Sequence, residues 1–491
     1  MARVFIVSNR VSTPRKTGEQ SAGGLEVAVR AVLKRHRGTW FGWSGTVSSE
    51  RELGVRSIEA GDMHYLVTDL TRDEYDEYYK GFANSVLWPI LHYRLDLAEF
   101  SRRDLSGYMR VNERLANELH KVLEPDDVIW VHDYHLIPFA KILRGMGHEN
   151  RIGFFLHVPL PPPEILTALP NYEQLLSAFL AYDLVGFQTE TYTANFARFL
   201  AQEYGMPNHI PRANLASAAR MHIGTFPVGI DTLGFRDEAE KAVTSNYVRK
   251  VLASVSGALI IGVDRLDYTK GLPLRFEGFE SFLKSHPHAR GDVTYLQITP
   301  KSRSQIPEYA DIRHQLERAA GRINGNFGDA GWTPIRYVNR AHSQHDLAGL
   351  YRAARVGLVT PLRDGMNLVA KEYVAAQNPA DPGVLILSKF AGAAAEMRDA
   401  LLVNPHDREA VGAAIAKALD MPLAERKRRY ASLFDAVQKS DISRWAESFL
   451  EALEHEPVPR SRSDVWFAPQ PRKDHKTVIA KQMVSGLPAP S

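Results

Sequence analysis

The feature that most constrains the fold of this chain is an alternation of short apolar runs with amphipathic helical patterns. Continuous apolar runs between helices are typical of strands buried on both faces of a parallel sheet. The runs form two series, one before residue 226 and one after residue 258. They predict strands at residues 4–7, 128–131, 153–158, 184–187, 259–263, 293–298, 356–360 and 384–387. Two such series predict an α/β protein with two doubly wound sheets.

The division into domains follows from the same pattern. A chain of 491 residues is too long for one core. A stretch with Pro and Gly at 226–231 predicts a boundary between an N-terminal domain, 1–230, and a C-terminal domain, 231–440. The helical pattern at 441–456 follows the second series, so we expect it to pack back across the domain junction. Residues 457–491 lose periodicity and are rich in Pro, Arg, Ser and Lys, which predicts a disordered tail.

Composition argues against several classes of function. The net charge is +3, and the tail carries six Lys or Arg against two Asp, so the rest of the chain is nearly neutral. Nothing here indicates a nucleic-acid partner. The chain has no cysteine, which excludes disulfides and thiolate chemistry. No apolar run approaches the roughly 20 residues needed to span a bilayer, and the N-terminus leads directly into a strand. We therefore expect a cytoplasmic enzyme without a membrane partner.

Two cations mark a candidate anion site in the second series. Arg265 and Lys270 lie between the predicted strand 259–263 and a helical pattern that starts near Leu272. In an open α/β sheet, such strand-to-helix loops at the carboxyl edge are where ligands bind. A pair of fixed cations there suits a diphosphate, and predicts a site that stabilises a nucleoside diphosphate as a leaving group.

A second loop could complete this site. Asp364, Gly365 and Asn367 precede a helix that begins near Leu368, where Asn367 is a good N-cap and Gly365 permits close backbone approach. The free N–H groups of the helix start favour an anion. Glu372, one turn later, could accept hydrogen bonds from ribose hydroxyls, and Asp364 from sugar hydroxyls. Taken alone, the segment is better explained as a surface loop with a capped helix and a Lys371/Glu372 charge pair. With Arg265 and Lys270 on a parallel loop, we favour a ligand site.

Absent motifs narrow the chemistry further. The chain has no Asp-x-Asp pair of the kind that holds a divalent metal in many sugar-nucleotide enzymes. Protein cations and a helix N-terminus would then stabilise the leaving group, and we expect neither metal nor cofactor. The chain also lacks G-x-G-x-x-G and G-x-x-x-x-G-K, so nicotinamide and NTP-hydrolysing functions are not supported.

The first series carries polar and aromatic groups near its strand ends. Arg10 closes the first strand, Gly24 belongs to a Gly-Gly pair before a helix, and Trp43 lies in an aromatic, glycine-rich segment. Tyr79 and Trp88 add O–H and N–H donors suited to an exposed phosphate. Gly-Gly pairs are common in loops, and one of the tryptophans at 40 and 43 is expected in the core.

Two later loops contribute histidines and a carboxylate. His132, Asp133 and His135 follow one predicted strand, and His157 lies at the end of the next. Three histidines and an aspartate could suggest a metal site, but no ligand pair with matching spacing accompanies them. The more economical hypothesis makes Asp133 a hydrogen-bond acceptor or base for an acceptor hydroxyl, and His157 a sugar ligand.

Eight segments, taken in order, resemble one family. They are Val-Ser-Asn-Arg, Ala-Gly-Gly-Leu, Phe-Gly-Trp-Ser-Gly, Val-Leu-Trp-Pro, His-Asp-Tyr-His-Leu, Gly-Phe-Phe-Leu-His-Val-Pro, Arg-Leu-Asp-Tyr-Thr-Lys-Gly-Leu and Arg-Asp-Gly-Met-Asn-Leu-Val-Ala-Lys-Glu-Tyr. The chain resembles bacterial α,α-trehalose-phosphate synthases (UDP-forming) over roughly residues 3–455. The resemblance implies a GT-B fold, with two Rossmann-like domains facing across a cleft and a C-terminal helix that crosses back. It also implies transfer of glucose from UDP-glucose to glucose 6-phosphate with retention.

The resemblance assigns roles to residues at matching positions. Asp133, His157, Arg265 and Lys270 would surround the reacting groups. The UDP-glucose ligands would be Gly24, Arg265, Lys270, Asp364, Gly365, Met366, Asn367, Leu368 and Glu372. The glucose 6-phosphate ligands would be Arg10, Trp43, Tyr79, Trp88, Asp133 and Arg303.

Alternatives remain at this stage. A related enzyme, glucosylglycerol-phosphate synthase, shares the donor site but accepts glycerol 3-phosphate. An ADP or GDP donor and an inactive sugar-phosphate binder are further hypotheses, and a homo-oligomer is compatible with the sequence.

Overall fold

The computed structural model describes residues 3–13, 29, 33, 38–50, 53–61, 63–206, 215–218, 221–300 and 307–455. Its strands form two sheets. The strands are β1 Val4–Arg10, β2 Thr39–Ser48, β3 Arg56–Ala60, β4 Met63–Thr71, β5 Val128–His132, β6 Arg151–Phe155, β7 Leu184–Phe187, β8 Leu215–Ala218, β9 Met221–Thr225, β10 Ala258–Val263, β11 Val293–Ile298, β12 Ile335–Val338, β13 Val356–Val359, β14 Val384–Ser388 and β15 Leu401–Val403.

Each sheet has the strand order of a doubly wound fold. The first is nine-stranded, β3-β4-β2-β1-β5-β6-β7-β9-β8, and only its outermost pairs are antiparallel. The second has six strands, β12-β11-β10-β13-β14-β15, all parallel. We call the nine-stranded sheet with its helices the N-terminal lobe, and the six-stranded sheet with its helices the C-terminal lobe. The predicted α/β class with two doubly wound sheets is confirmed.

Helices cover both faces of the sheets. The α-helices are α1 Arg72–Glu74, α2 Trp88–Leu91, α3 Arg102–His120, α4 Phe139–Gly145, α5 Pro163–Leu166, α6 Tyr172–Leu176, α7 Glu190–Tyr204, α8 Thr232–Ala242, α9 Asn246–Ala253, α10 Leu272–Ser285, α11 Pro307–Phe327, α12 Gln344–Ala353, α13 Leu368–Ala376, α14 Arg408–Leu419, α15 Leu423–Lys439 and α16 Ile442–His455. A π-helix spans Tyr75–Leu87, and short 3₁₀ turns include Tyr134–Leu136 and Tyr268–Lys270.

The strand order places the two ligand-binding edges. In the C-terminal lobe β10 lies between β11 and β13. The connections that follow β10 and β13 therefore run over opposite faces of the sheet. In the N-terminal lobe β1 lies between β2 and β5 in the same way. A crevice forms at the carboxyl ends of strands at such a reversal. The loops after β1, β5, β10 and β13 are therefore the ones placed to hold ligands.

Within the described residues the chain crosses between the lobes twice, and the crossings touch. A Cβ built on Gly229, in the first crossing, would lie 1.5 Å from the Ser440 carbonyl oxygen in the second. The Ile442 N–H also donates to the Ile230 carbonyl at 3.2 Å. Only glycine permits this approach at position 229. We call these two touching segments, residues 228–230 and 440–442, the hinge.

After the second crossing, α16 packs on the N-terminal sheet, as the sequence predicted. Trp445, Phe449 and Leu453 are all nearly inaccessible to solvent. The Phe449 ring stacks on Trp130 of β5, with centroids 4.5 Å apart. Gly153 of β6 makes room for it, since a Cβ there would approach the Phe449 ring to 2.7 Å.

Several boundaries differ from the predicted ones. The strand predicted at 153–158 ends at Phe155, and three prolines soon follow at 161–163, where no further ladder N–H is available. Strands β2, β3, β4, β8, β9, β12 and β15 were not predicted, because they are short or contain polar and charged residues that interrupt the apolar pattern. Among the described residues no helix is long and apolar enough to cross a membrane. The expected tail at 457–491 lies outside the described residues.

Candidate functional site

The loop after β10 presents the two predicted cations in different environments. Arg265 is exposed and has no hydrogen-bond or ion-pair partner within the described ranges. Lys270 lies at the end of the 3₁₀ turn, and its ammonium forms an ion pair with Asp364 from the other loop. Asp267 caps the turn by accepting from the Thr269 N–H at 3.0 Å. The loop is therefore rigid at its base and offers one free cation and one internally neutralised cation.

A buried guanidinium that the sequence analysis did not identify supports this loop. Arg275 of α10 has a fully buried side chain and pairs with Asp264 at 2.5 Å. It also donates to the Thr360 hydroxyl at 2.9 Å and to the Lys270 carbonyl at 3.2 Å. Arg275 thus ties the ends of β10 and β13 to the backbone of Lys270. Its position in an amphipathic helix gave no signal of this role.

The loop after β13 has the geometry expected of an anion-binding helix start. Asn367 adopts φ +77°, and its side-chain oxygen accepts from the Ala370 N–H at 3.2 Å, which confirms the predicted N-cap. Its amide also donates to Asp364 at 3.0 Å. Gly365 and Met366 are buried, and Leu368 opens α13.

The carboxylates on this side differ in charge state. Burial by itself would raise the pKa of Asp364, but the nearby Lys270 ammonium and the Asn367 hydrogen bond hold that pKa below its usual value. Burial raises the pKa of Glu372 to about 7. No side chain or backbone group within the described part of the chain hydrogen-bonds to Glu372. Its carboxyl is therefore available to a ligand.

Asp133 and His157 lie together on the N-terminal side. Asp133 has φ +75°, a conformation that costs a residue other than glycine about 1–3 kcal/mol. Its side chain accepts from the His157 N–H at 3.3 Å. The His157 Nε2 lies 3.0 Å from His132 Nδ1, and burial lowers the pKa of His157 to about 3. His157 is neutral at physiological pH, so it can exchange hydrogen bonds with hydroxyls but carries no charge.

The remaining N-terminal candidates surround the same loop. Arg10 ends β1 exposed and pairs in register with Trp43. Trp43 is only 4% exposed, and its ring packs against Tyr79 with centroids 5.4 Å apart. Tyr79 in turn stacks on His135 at 6.0 Å. Trp88 is buried beside Tyr134. Trp43 thus supports Tyr79, while Arg10 is the most exposed of the set. Gly24 and Arg303 lie outside the described residues.

The two lobes meet at these loops. A Cβ built on Gly365 would lie 2.0 Å from the His157 carbonyl oxygen, so the loop after β13 rests directly on His157. The Tyr192 hydroxyl of α7 donates to the Asp364 carbonyl at 3.1 Å. The Arg363 guanidinium lies 3.8 Å from the ring centroid of Tyr93. Gly365 and His157, which were predicted separately for the two lobes, are thus in direct contact.

The sequence analysis named His132 but predicted neither its contact with His157 nor the contact between His157 and Trp445. His132 is fully buried, and it forms the direct contact behind His157. Trp445 of α16 packs against the His157 ring with centroids 5.9 Å apart. The only sequence signal was the apolar face of α16, which indicated burial without saying against what. Within the described ranges no group of three or more His, Asp or Glu side chains could hold a metal ion.

Two known proteins are similar to this chain over most of its length. Trehalose-6-phosphate synthase from Sinorhizobium fredii is 51% identical over 457 residues, covering 92% of this chain and 98% of that protein. Its counterpart from Sodalis glossinidius is 47% identical over 461 residues, covering 93% and 97%.

Solved structures give the same result. An α,α-trehalose-phosphate synthase (UDP-forming) from Burkholderia xenovorans, in complex with glucose-6-phosphate, superposes with a TM-score of 0.89 at 45% identity, covering 92% of this chain and all of that one. A trehalose-6-phosphate structure from E. coli bound with UDP-2-fluoro glucose has a TM-score of 0.87 at 45% identity, with coverage of 93% and 100%. The sequence profile of glycosyltransferase family 20 matches residues 3–455, and the chain belongs to that family.

Proposed function

We propose that this protein transfers glucose from UDP-glucose to glucose 6-phosphate with retention, releasing UDP and trehalose 6-phosphate in the cytoplasm. The observation that carries the proposal is the seating of Gly365 on the His157 carbonyl. This contact holds the loop after β13, which the Lys270–Asp364 ion pair joins to the cationic loop after β10, against a loop with sugar-binding chemistry. The relatives that share the whole architecture are trehalose-6-phosphate synthases.

The donor side would stabilise the leaving group by charge. Arg265 is unpaired within the described ranges and so is free to meet the diphosphate. Lys270 would exchange its ion pair with Asp364 for the diphosphate, which frees Asp364 for the donor sugar. The N–H groups at the start of α13 add a partial positive charge. In a site shielded from water, these groups need no rearrangement as the bond breaks.

The acceptor side would orient glucose 6-phosphate. We place the 6-phosphate against Arg10, Tyr79 and Trp88, joined by Arg303. Asp133 and His157 would then lie beside the reacting carbon of the donor. The strained backbone of Asp133 is held by its loop, which suits a side chain that must keep one orientation.

The proposed reaction is a displacement on one face of the donor sugar. The bond from the donor anomeric carbon to the phosphate oxygen breaks, and the acceptor C1 hydroxyl bonds to that carbon from the same face. The departing phosphate oxygen takes the hydroxyl proton, so the proton ends on UDP. Neutral His157 cannot serve as a cationic acid, and no side-chain nucleophile is needed.

The test is an acceptor panel with UDP release as the readout. We expect turnover with UDP-glucose and glucose 6-phosphate, and little with glycerol 3-phosphate. Turnover with glycerol 3-phosphate alone would replace this proposal by glucosylglycerol-phosphate synthesis. ADP-glucose and GDP-glucose, offered to the same enzyme with glucose 6-phosphate, would show which base the site prefers.

A further inference from the structure

A series of buried hydrogen bonds runs through the hinge and connects the loop of His157 to helix α13. It begins at His157, whose carbonyl oxygen accepts from the Gln188 side chain at 3.4 Å. Gln188 follows β7 and is 2% exposed. Its side-chain oxygen accepts from the Val228 N–H at 3.0 Å. The N-terminal lobe therefore holds one side of the Val228 residue, within the first chain crossing.

The C-terminal lobe holds the other side. Lys371 of α13 has a fully buried side chain, and its ammonium donates to the Val228 carbonyl at 2.9 Å. The same ammonium pairs with Glu396 at 2.7 Å. Glu396 also accepts from the Ser440 hydroxyl, in the second crossing. Lys371 of α13 thus binds the first crossing directly and is connected to the second crossing through Glu396.

These contacts close a ring. Lys371 immediately precedes Glu372 on α13, and α13 begins at the loop whose Gly365 rests on the His157 carbonyl. That carbonyl is also the atom that Gln188 holds. A rotation of one lobe about the hinge would change the bonds at Val228 and the contact at Gly365 together.

Stability alone does not account for a lysine at this position. Transferring an ammonium out of water is costly, and a well-packed apolar side chain is often as stable as a buried ion pair. Burial lowers the pKa of Lys371, and Glu396 opposes that shift. What an apolar residue could not do is join α13 to the two crossings through directional bonds.

We propose that Gln188 and Lys371 are positioning residues: through the Val228 backbone they fix the angle between the lobes, and so couple donor binding to acceptor binding. The proposal rests on the function proposed above. Neither side chain is assigned a contact with substrate. Their effect would pass through the seating of Gly365 on His157 and through the placement of Glu372.

The experiment measures the synergy between the two ligands. UDP is titrated into the full-length protein by calorimetry, with and without saturating glucose 6-phosphate, and the ratio of the two Kd values is the synergy. Gln188→Met, Lys371→Met and the double variant are compared with Gln202→Met and Lys417→Met, which alter exposed residues of α7 and α14. The melting temperature of each variant is recorded in parallel.

We expect synergy in the parent protein and in both controls. The synergy should fall by about tenfold in Gln188→Met and in Lys371→Met. A change of this size is within the usual range of coupling between sites. The double variant should fall little further, because both changes break one connection. The Kd of UDP alone should change less than the synergy, and Lys371→Arg should recover part of the loss.

Other results would overturn the proposal. Independent binding of UDP and glucose 6-phosphate in the parent protein would do so. Lower melting temperatures with parental synergy in Gln188→Met and Lys371→Met would do so as well. Should Lys371→Met fail to fold, Gln188→Met tests the same connection from its other end. Failure of the proposed function is separate, since it appears as absent UDP release by the parent protein with glucose 6-phosphate.

Discussion

At the scale of single residues, the ion pair between Lys270 and Asp364 shows how the site is kept ready. Each side chain is mostly buried, at 12% and 15% exposure. An unpaired charge in such a place would be costly. Lys270 and Asp364 therefore neutralise each other in the absence of ligand. In the proposed mechanism, Lys270 would then pair with the diphosphate of the donor, and Asp364 would bind its sugar.

Removing either cation should slow catalysis. We expect Arg265→Ala or Lys270→Ala to lower kcat by about a hundredfold or more, as does loss of one preorganised stabilising donor in other enzymes. Steady-state kinetics with UDP release checks this. Arg290→Ala, at the end of the 3₁₀ turn Pro287–Ala289, serves as an arginine control away from the site. Parental kcat in both cation variants would remove these residues from the mechanism.

The raised pKa of Glu372 predicts a pH dependence of donor binding. The carboxyl has a pKa of about 7 and is mostly protonated below that value, so it accepts ribose hydrogen bonds less well there. We expect the KM for UDP-glucose to rise as pH falls through about 7. Glu372→Gln should have a higher KM without this dependence. A variant that keeps the parental pH profile would contradict the assignment.

The same shift affects stability in a defined direction. Burial moves the pKa of Glu372 from an ordinary 4.5 to about 7, so the native state binds a proton that the unfolded state has released between these values. The contribution of Glu372 to stability therefore falls as pH rises through that window. The gain in melting temperature from Glu372→Gln should be larger at pH 8 than at pH 5. An equal gain at both pH values would argue against the shift.

At the scale of elements, the contact between the two loops depends on the absence of one side chain. A Cβ at position 365 would lie 2.0 Å from the His157 carbonyl oxygen, so Gly365→Ala must separate the loops. We expect kcat to fall at least tenfold, because small misplacements of reacting groups are costly. Gly321→Ala, on α11 with open space around it, is the matched control. Unchanged kcat in Gly365→Ala would show that the lobes need not meet there.

Helix α16 should be essential to the N-terminal lobe. Phe449→Ala removes a fully buried ring that stacks on Trp130, and should cost about 3–5 kcal/mol of unfolding free energy. Urea unfolding followed by tryptophan fluorescence measures this loss. Phe100→Ala, at a ring that is 47% exposed, is the control. Equal effects of the two substitutions would contradict the packing described for α16.

Element prediction succeeded where burial was complete and failed where geometry was unusual. Strands β7 and β11 have the predicted bounds and helix α10 begins at the predicted residue, because continuous apolar runs and a regular helical period leave few alternatives. The π-helix Tyr75–Leu87 was not predicted, because helices of this kind are rare in proteins.

At the scale of the whole molecule, the two lobes have different roles in the proposed reaction. The C-terminal lobe would supply the positive charge that stabilises the leaving group, and the N-terminal lobe would position the acceptor. The cations and the start of α13 would take the role that a divalent ion has in other sugar-nucleotide enzymes. We expect activity to survive EDTA treatment and to gain less than about twofold from Mg²⁺ or Mn²⁺. An enzyme that lost activity to the chelator and recovered it with either ion would refute this expectation.

The sequence predicted both half-sites but not how they are connected. Strand ends and helix caps are local, so Asp133, His157, Lys270 and Asp364 could be proposed from their positions. Lys371 contacts Val228 across 143 residues of chain, and nothing near either residue indicated it. The residue looked like half of a surface charge pair, because sequence spacing does not report burial.

The position of α16 has a consequence for synthesis. The N-terminal sheet is complete by β9, yet the groove between Trp130 and Gly153 is covered by Trp445, Phe449 and Leu453. On the ribosome, this apolar groove must therefore stay open while some two hundred further residues of the C-terminal lobe are made. Binding of chaperones to the nascent chain should be greatest during that interval, and should end when α16 emerges from the ribosome.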